Sequence, residues 1–79
     1  MAEDLVRVSV RFFGSLVESH GERRAVELTP PATVKDLLKA LGLSEGGISV
    51  AVVNGVQVTL NEELADGASV MLVPPVIGG

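Results

Sequence analysis

Apolar and polar residues alternate along the first stretch of the chain. From Leu5 to Phe13, residues Val6, Val8, Val10 and Phe12 fall on one side, and Arg7, Ser9, Arg11 and Phe13 on the other. A period of two is the mark of a half-buried strand. Phe13 is the odd residue, since it shares its face with two arginines and a serine. Gly14-Ser15 ends the strand, and the polar stretch Leu16 to Glu22 is expected to hold a loop with a short helical turn. Alternation resumes from Arg24 to Thr29, with Val26 and Leu28 on one face, which predicts the second arm of an antiparallel hairpin.

The period then changes. After Pro30-Pro31, Val34, Leu37, Leu38 and Leu41 recur at i, i+3, i+4 and i+7, one apolar stripe on an amphipathic helix. Thr33 is placed as its N-cap, and Asp36 suits the positive end of the helix dipole. Gly42 is placed as the left-handed residue after the last turn, with Leu43 able to fold back on the helix end. At about 1.5 Å per residue such a helix is only about 12 Å long, so it must pack on a sheet to persist.

Ile48 to Val53 is a strongly apolar run, expected to be a central strand covered in part on both faces. Asn54-Gly55 is the best hairpin signal in the chain, a two-residue turn needing positive φ at both positions. A short strand, Val56 to Leu60, follows. Asn61 to Leu64 is expected to make a helical turn, Asp66-Gly67 is a second turn signal, and Ser69 to Val73 reads as the last strand, with Met71 and Val73 outward. The expected fold is α+β, a mixed sheet of four to five strands packed on one main helix. Setting the last strand parallel to the first makes both central, which is the β-grasp or ubiquitin-like arrangement. The expected organisation is one domain, residues 1–73, and an extended C-terminal tail, residues 74–79.

Composition narrows the chemistry. A chain of 79 residues buries only about 60% of its unfolded surface and holds one small core. With 47% hydrophobic residues but two Phe and no Tyr or Trp, that core is aliphatic. The absence of cysteine removes disulfides, thiolate metal sites and thiol nucleophiles. The single histidine, His20, is expected to be a solvated loop residue, and no metal site or cofactor is expected. A formal charge of −4 disfavours nucleic acid, and weakly suggests basic protein partners. No apolar run approaches the roughly 18 residues of a membrane span, and Met1-Ala2-Glu3-Asp4 is unlike a signal peptide. A cytoplasmic protein without membrane association is expected.

The ending, Pro74-Pro75-Val76-Ile77-Gly78-Gly79, is the least conventional segment. Proline lacks an N–H and has a fixed φ, so Pro74-Pro75 cannot extend a sheet and should continue as stiff, polyproline-like chain. Gly14, Gly21, Gly42, Gly46, Gly47, Gly55 and Gly67 all fall at turns or a helix end. Gly78 and Gly79 have no such local duty, which leaves a bare backbone and the Gly79 carboxylate. Six extended residues reach at most roughly 20 Å, enough to carry that carboxylate deep into a partner.

Three segments together resemble the MoaD/ThiS-type ubiquitin-like sulfur carriers, most closely the small subunits of molybdopterin synthase. They are Val10-Arg11-Phe12-Phe13-Gly14-Ser15-Leu16, the hairpin Val52-Val53-Asn54-Gly55 with Leu64-Ala65-Asp66-Gly67, and Val73-Pro74-Pro75-Val76-Ile77-Gly78-Gly79. The last is the specific one. The resemblance implies a sulfur carrier without catalytic side chains of its own. Gly79 would be adenylated with ATP by an adenylyltransferase resembling the ubiquitin-activating enzymes. A sulfur-donor enzyme acting through that partner would then convert it to a thiocarboxylate. The tail (Pro74, Pro75, Val76, Ile77, Gly78) would insert into the large catalytic subunit of molybdopterin synthase, delivering sulfur to the pterin precursor of molybdenum cofactor. The resemblance also implies a partner interface at Phe13, Met71 and Val73, where an exposed apolar patch would suit docking. The sequence departs from the family pattern at bulky Ile77 and at Val73, where an aromatic is frequent, so the acceptor stays open. Cysteine, thiamine or tRNA thiolation are alternatives, as is a modifier joined through Gly79 to lysines of other proteins.

Overall fold

The computed structural model describes residues 4–75, and in chain order these form β1 (Val6–Phe12), α1 (Leu16–His20), β2 (Arg23–Leu28), α2 (Val34–Leu41), a 3-10 turn (Glu45–Gly47), β3 (Val50–Val53), β4 (Val56–Val58) and β5 (Ser69–Val73). The five strands make one sheet in the order β2-β1-β5-β3-β4. β1 and β5 are parallel, paired from Ser9–Ser69 to Phe12–Leu72, and every other pairing is antiparallel. This is the β-grasp topology, with the last strand returning to lie beside the first.

The alternation in β1 maps directly onto burial. Val6, Val8, Val10 and Phe12 are buried while Arg7, Ser9 and Arg11 are exposed. The apolar stripe of α2 faces the same side, and Leu37, Leu38, Leu72, Val8, Val10, Val34 and Val70 are sealed from solvent. At about 25 cal/mol per Å² of apolar surface removed from water, these contacts are the main favourable contribution to folding.

Both ends of α2 carry built caps. The Thr33 hydroxyl accepts from the Asp36 N–H at 3.3 Å, and the Asp36 carboxylate accepts from the Thr33 N–H at 2.9 Å, closing a capping box. At the other end Gly42 is left-handed (φ 74°) and the Leu43 N–H donates to the Leu38 carbonyl at 2.8 Å, a Schellman closure. The first N–H groups of the helix also find partners. Those of Val34 and Lys35 donate to the carbonyls of Glu62 and Leu60 at 3.0 and 2.9 Å.

Three sequence expectations need correction. Residues 61–64 make no helical turn, because their segment runs alongside the start of α2, bridged at Thr33–Glu63, with the Glu62 carbonyl accepting from the Val34 N–H and the Leu64 N–H donating to the Ala32 carbonyl. β3 begins at Val50 rather than Ile48; as expected it is covered in part on both faces, with Ala51 and Val53 buried on one and Val50 and Val52 half-buried on the other. His20 is not a solvated loop residue. It ends α1, stacks on Phe12 at 5.1 Å between ring centroids, and joins the Leu41 carbonyl through Nε2 at 2.9 Å. That carbonyl is an orphan of the α2 C-terminus, so His20 ties the two helices together.

The capping box makes a pH-dependent prediction. The Thr33 backbone N–H, and then its hydroxyl, hold the Asp36 carboxyl below its ordinary value. A lowered folded value means the stabilisation is present above the unfolded value of about 4 and fades as pH falls through the folded one. Thr33→Ala should cost about 1 kcal/mol in denaturant unfolding at neutral pH. Wild type should be more stable than Asp36→Ala at pH 7, and the gap should close on acidification.

Candidate functional site

β5 determines where the tail leaves the domain. Its last ladder bond is the Ser49 N–H donating to the Val73 carbonyl at 2.7 Å. Pro74 and Pro75 have no N–H to continue it. Pro74 is half-buried and Pro75 exposed. Gly14, at the turn that ends β1, has φ +58°, and a Cβ placed on it would lie 3.1 Å from the Pro74 Cγ. A glycine is therefore suited to this position twice over, by backbone conformation and by the proline ring seated against it. Because β1 and β5 are parallel, the turn after one lies beside the exit from the other. Val76, Ile77, Gly78 and Gly79, the rest of the expected tail, lie outside the described residues.

The expected interface residues share the sheet face away from the helices. Met71 pairs with Arg11 on β1 and Val52 on β3, and Val73 pairs with Val50. Phe13 lies one residue beyond the Phe12–Leu72 pair, half-buried, with the Arg11 guanidinium 5.1 Å from its ring centroid. That distance fits a cation–π contact, which holds Arg11 over the ring. Phe13, Met71 and Val73 are thus a half-exposed group beside the tail exit. Val50 and Val52 join it. In the sequence they belong to the apolar run Ile48 to Val53, which reads as a strand covered in part on both faces without showing which of its residues border the tail exit. Among the described residues no group of three or more His, Cys, Asp or Glu could hold a metal ion. No helix among them is long and apolar enough to cross a membrane.

Residues 10–79 match the ThiS family. The chain belongs to that family. Its members are small carriers rather than catalysts, and this chain is a carrier of the sulfur-carrier or ubiquitin-like-modifier type. Solved structures agree. The molybdopterin-converting factor of Helicobacter pylori, determined as a complex of its subunits 1 and 2, includes a chain 31% identical over 94% of this chain and 100% of its own, with TM-score 0.64. A Pyrococcus furiosus protein assigned as molybdopterin converting factor subunit 1 is 29% identical over 90% of this chain and 99% of its own, with TM-score 0.75. Small archaeal modifier protein 1 of Haloferax volcanii is 26% identical over the same shares, 90% and 99%, with TM-score 0.76. A comparison with proteins of curated function gave no match.

The two adjacent phenylalanines of this ThiS-family chain separate core from surface. Phe12 is only 2% exposed, so Phe12→Ala should cost about 3–5 kcal/mol. Phe13→Ala should cost far less, about 1 kcal/mol, because part of the ring already meets water. Equilibrium unfolding of both variants checks this; equal losses would place Phe13 in the core.

Proposed function

We propose that this chain is the sulfur-carrier small subunit of a molybdopterin synthase, a β-grasp domain of residues 1–73 that presents the Gly79 carboxyl group on the tail 74–79. The observation that carries the reading is the exit of Pro74 from β5 beside the half-exposed face, with Val76-Ile77-Gly78-Gly79 following in the sequence, in a chain 31% identical to one determined with its subunit 2. A carboxylate is a poor acyl donor. Its oxygen would attack the α-phosphorus of ATP on a ubiquitin-activating-like adenylyltransferase, releasing pyrophosphate and leaving an acyl-adenylate. A persulfide from the sulfur-donor enzyme would displace AMP, and a thiol would cleave the resulting S–S bond to free the thiocarboxylate. Glycine at both final positions leaves the carbonyl carbon unshielded and the tail slim. Pro74-Pro75 lower the entropy lost when the tail enters the large catalytic subunit, because the segment is stiff before it binds. Phe13, Met71 and Val73 would form the apolar part of the docking face. Sulfur would then pass to the pterin precursor.

A second reading rests on the likeness to small archaeal modifier protein 1. In that reading the same adenylate is captured by a lysine amine, giving an isopeptide at Gly79.

Intact mass after incubation with an activating enzyme, ATP and a sulfur donor tests both. The expected result is a gain equal to exchange of one oxygen for one sulfur, abolished when Gly79 is deleted. Isopeptide-linked conjugates without that gain would favour the modifier. An unchanged mass in every such mixture would refute the carrier reading.

A further inference from the structure

The strand register sorts the open sheet face into rows. One row crosses β2, β1 and β5 through Ala25, Ser9 and Ser69, all small. The next row crosses the same strands through Arg23, Arg11 and Met71. The result is a groove of ≈ 490 Å³ with a small-residue floor and a basic wall.

The wall is electrostatically unfavourable to the free domain. Arg11 and Arg23 are direct partners across the antiparallel pair, and like charges placed so are destabilising. The other charged pair on this face, beyond Ser9 and Ala25, is complementary, Arg7 opposite Glu27, so the strands can place opposite charges here. Among the described residues the ion pair formed is Lys35–Glu45, at 3.3 Å, and neither Arg11 nor Arg23 has a carboxylate within 4.0 Å. Arg11 is also held over the Phe13 ring, which restrains its planar fork before any ligand arrives. This positive spot belongs to a chain of net charge −4, with only six Lys and Arg in all.

We propose that the groove is a docking site for an extended acidic segment of a protein partner. Its backbone would lie over Ala25, Ser9 and Ser69, with a carboxylate between Arg11 and Arg23. A guanidinium fork matches a carboxylate in two parallel hydrogen bonds, and an anion between the two arginines would offset their mutual repulsion. The small floor lets a main chain approach closely, and Met71 at the end of the basic row supplies an apolar contact for an alternate side chain of the segment. A nucleic acid is disfavoured, because phosphate backbones require many cations and this chain is acidic overall. The proposal concerns the face of the domain rather than the chemistry of its tail, so either can fail while the other stands.

The test is an amide chemical-shift titration of the full chain with a blocked peptide of alternating Glu and Leu. A Lys/Leu peptide and a single-stranded oligothymidylate serve as comparisons. The expected result is saturable shifts at Ser9, Arg11, Arg23, Ala25 and Ser69 with the Glu/Leu peptide, weakened by added salt. Arg23→Glu should reduce its affinity about tenfold or more. The same substitution should leave the unfolding midpoint unchanged or raised, since it converts a like-charge pair into an opposite one. Lost binding with a lowered midpoint would mean a damaged fold, and Arg11→Gln, which removes the charge but keeps a polar side chain, must then weaken the peptide for the proposal to stand. Equal binding of the Lys/Leu peptide, tighter binding of the oligonucleotide, shifts confined to α2, or an Arg23→Glu affinity equal to wild type would each overturn it.

Discussion

The parallel pairing of β1 with β5 is the constraint on which the rest of the molecule depends. It joins the two ends of the described chain at the middle of the sheet, with β2 outside one strand and β3 outside the other. It sets Val8, Val10, Phe12, Val70 and Leu72 side by side beneath α2, where the core is most completely sealed. It also brings the turn at Gly14 against the exit at Pro74. Core, open face and tail exit are thus three consequences of one register. A one-residue slip of β5 would turn Val70 and Leu72 outward, and the cost of exposing two buried aliphatic side chains keeps the exit where it is.

Much of this was legible in the sequence because local and global preferences agree. The alternation of β1, the stripe and both caps of α2, and the Asn54-Gly55 turn each follow from local chemistry that tertiary packing then uses. Asn54, for example, takes φ 51° in the turn and its side-chain oxygen accepts from the Ser69 N–H at 2.9 Å, clamping the start of β5. What could not be read depends on long-range partners. His20 looks solvated until the Leu41 carbonyl is brought beside it, 21 positions away. The segment 61–64 looks able to turn helically until the Val34 amide of α2 claims the Glu62 carbonyl. The run Ile48 to Val53 signals a partly covered strand but not that its first two residues lie outside it.

For the site, the sequence grouped Phe13, Met71 and Val73 but not the residues that surround them. Phe13, Met71 and Val73 could be assigned to an outward face from alternation alone, since alternation fixes the side of a strand. The contribution of Val50 and Val52, and the meeting of Arg11 with Arg23, required the order of strands. Gly14 read as an ordinary turn glycine; that it also seats Pro74 follows only from the parallel crossover. The open face therefore combines an apolar half on β5 and β3 with a basic half on β1 and β2, and both border the point where the tail departs.

The seat of Pro74 against Gly14 is the contact through which the register reaches the tail, and it can be observed directly. In the free domain, nuclear Overhauser spectra should show a strong cross peak between the Gly14 α protons and the Pro74 ring protons, together with cross-strand contacts between β1 and β5. A Pro74 ring with contacts to its sequence neighbours alone, while the β1–β5 contacts persist, would contradict an exit positioned by the fold.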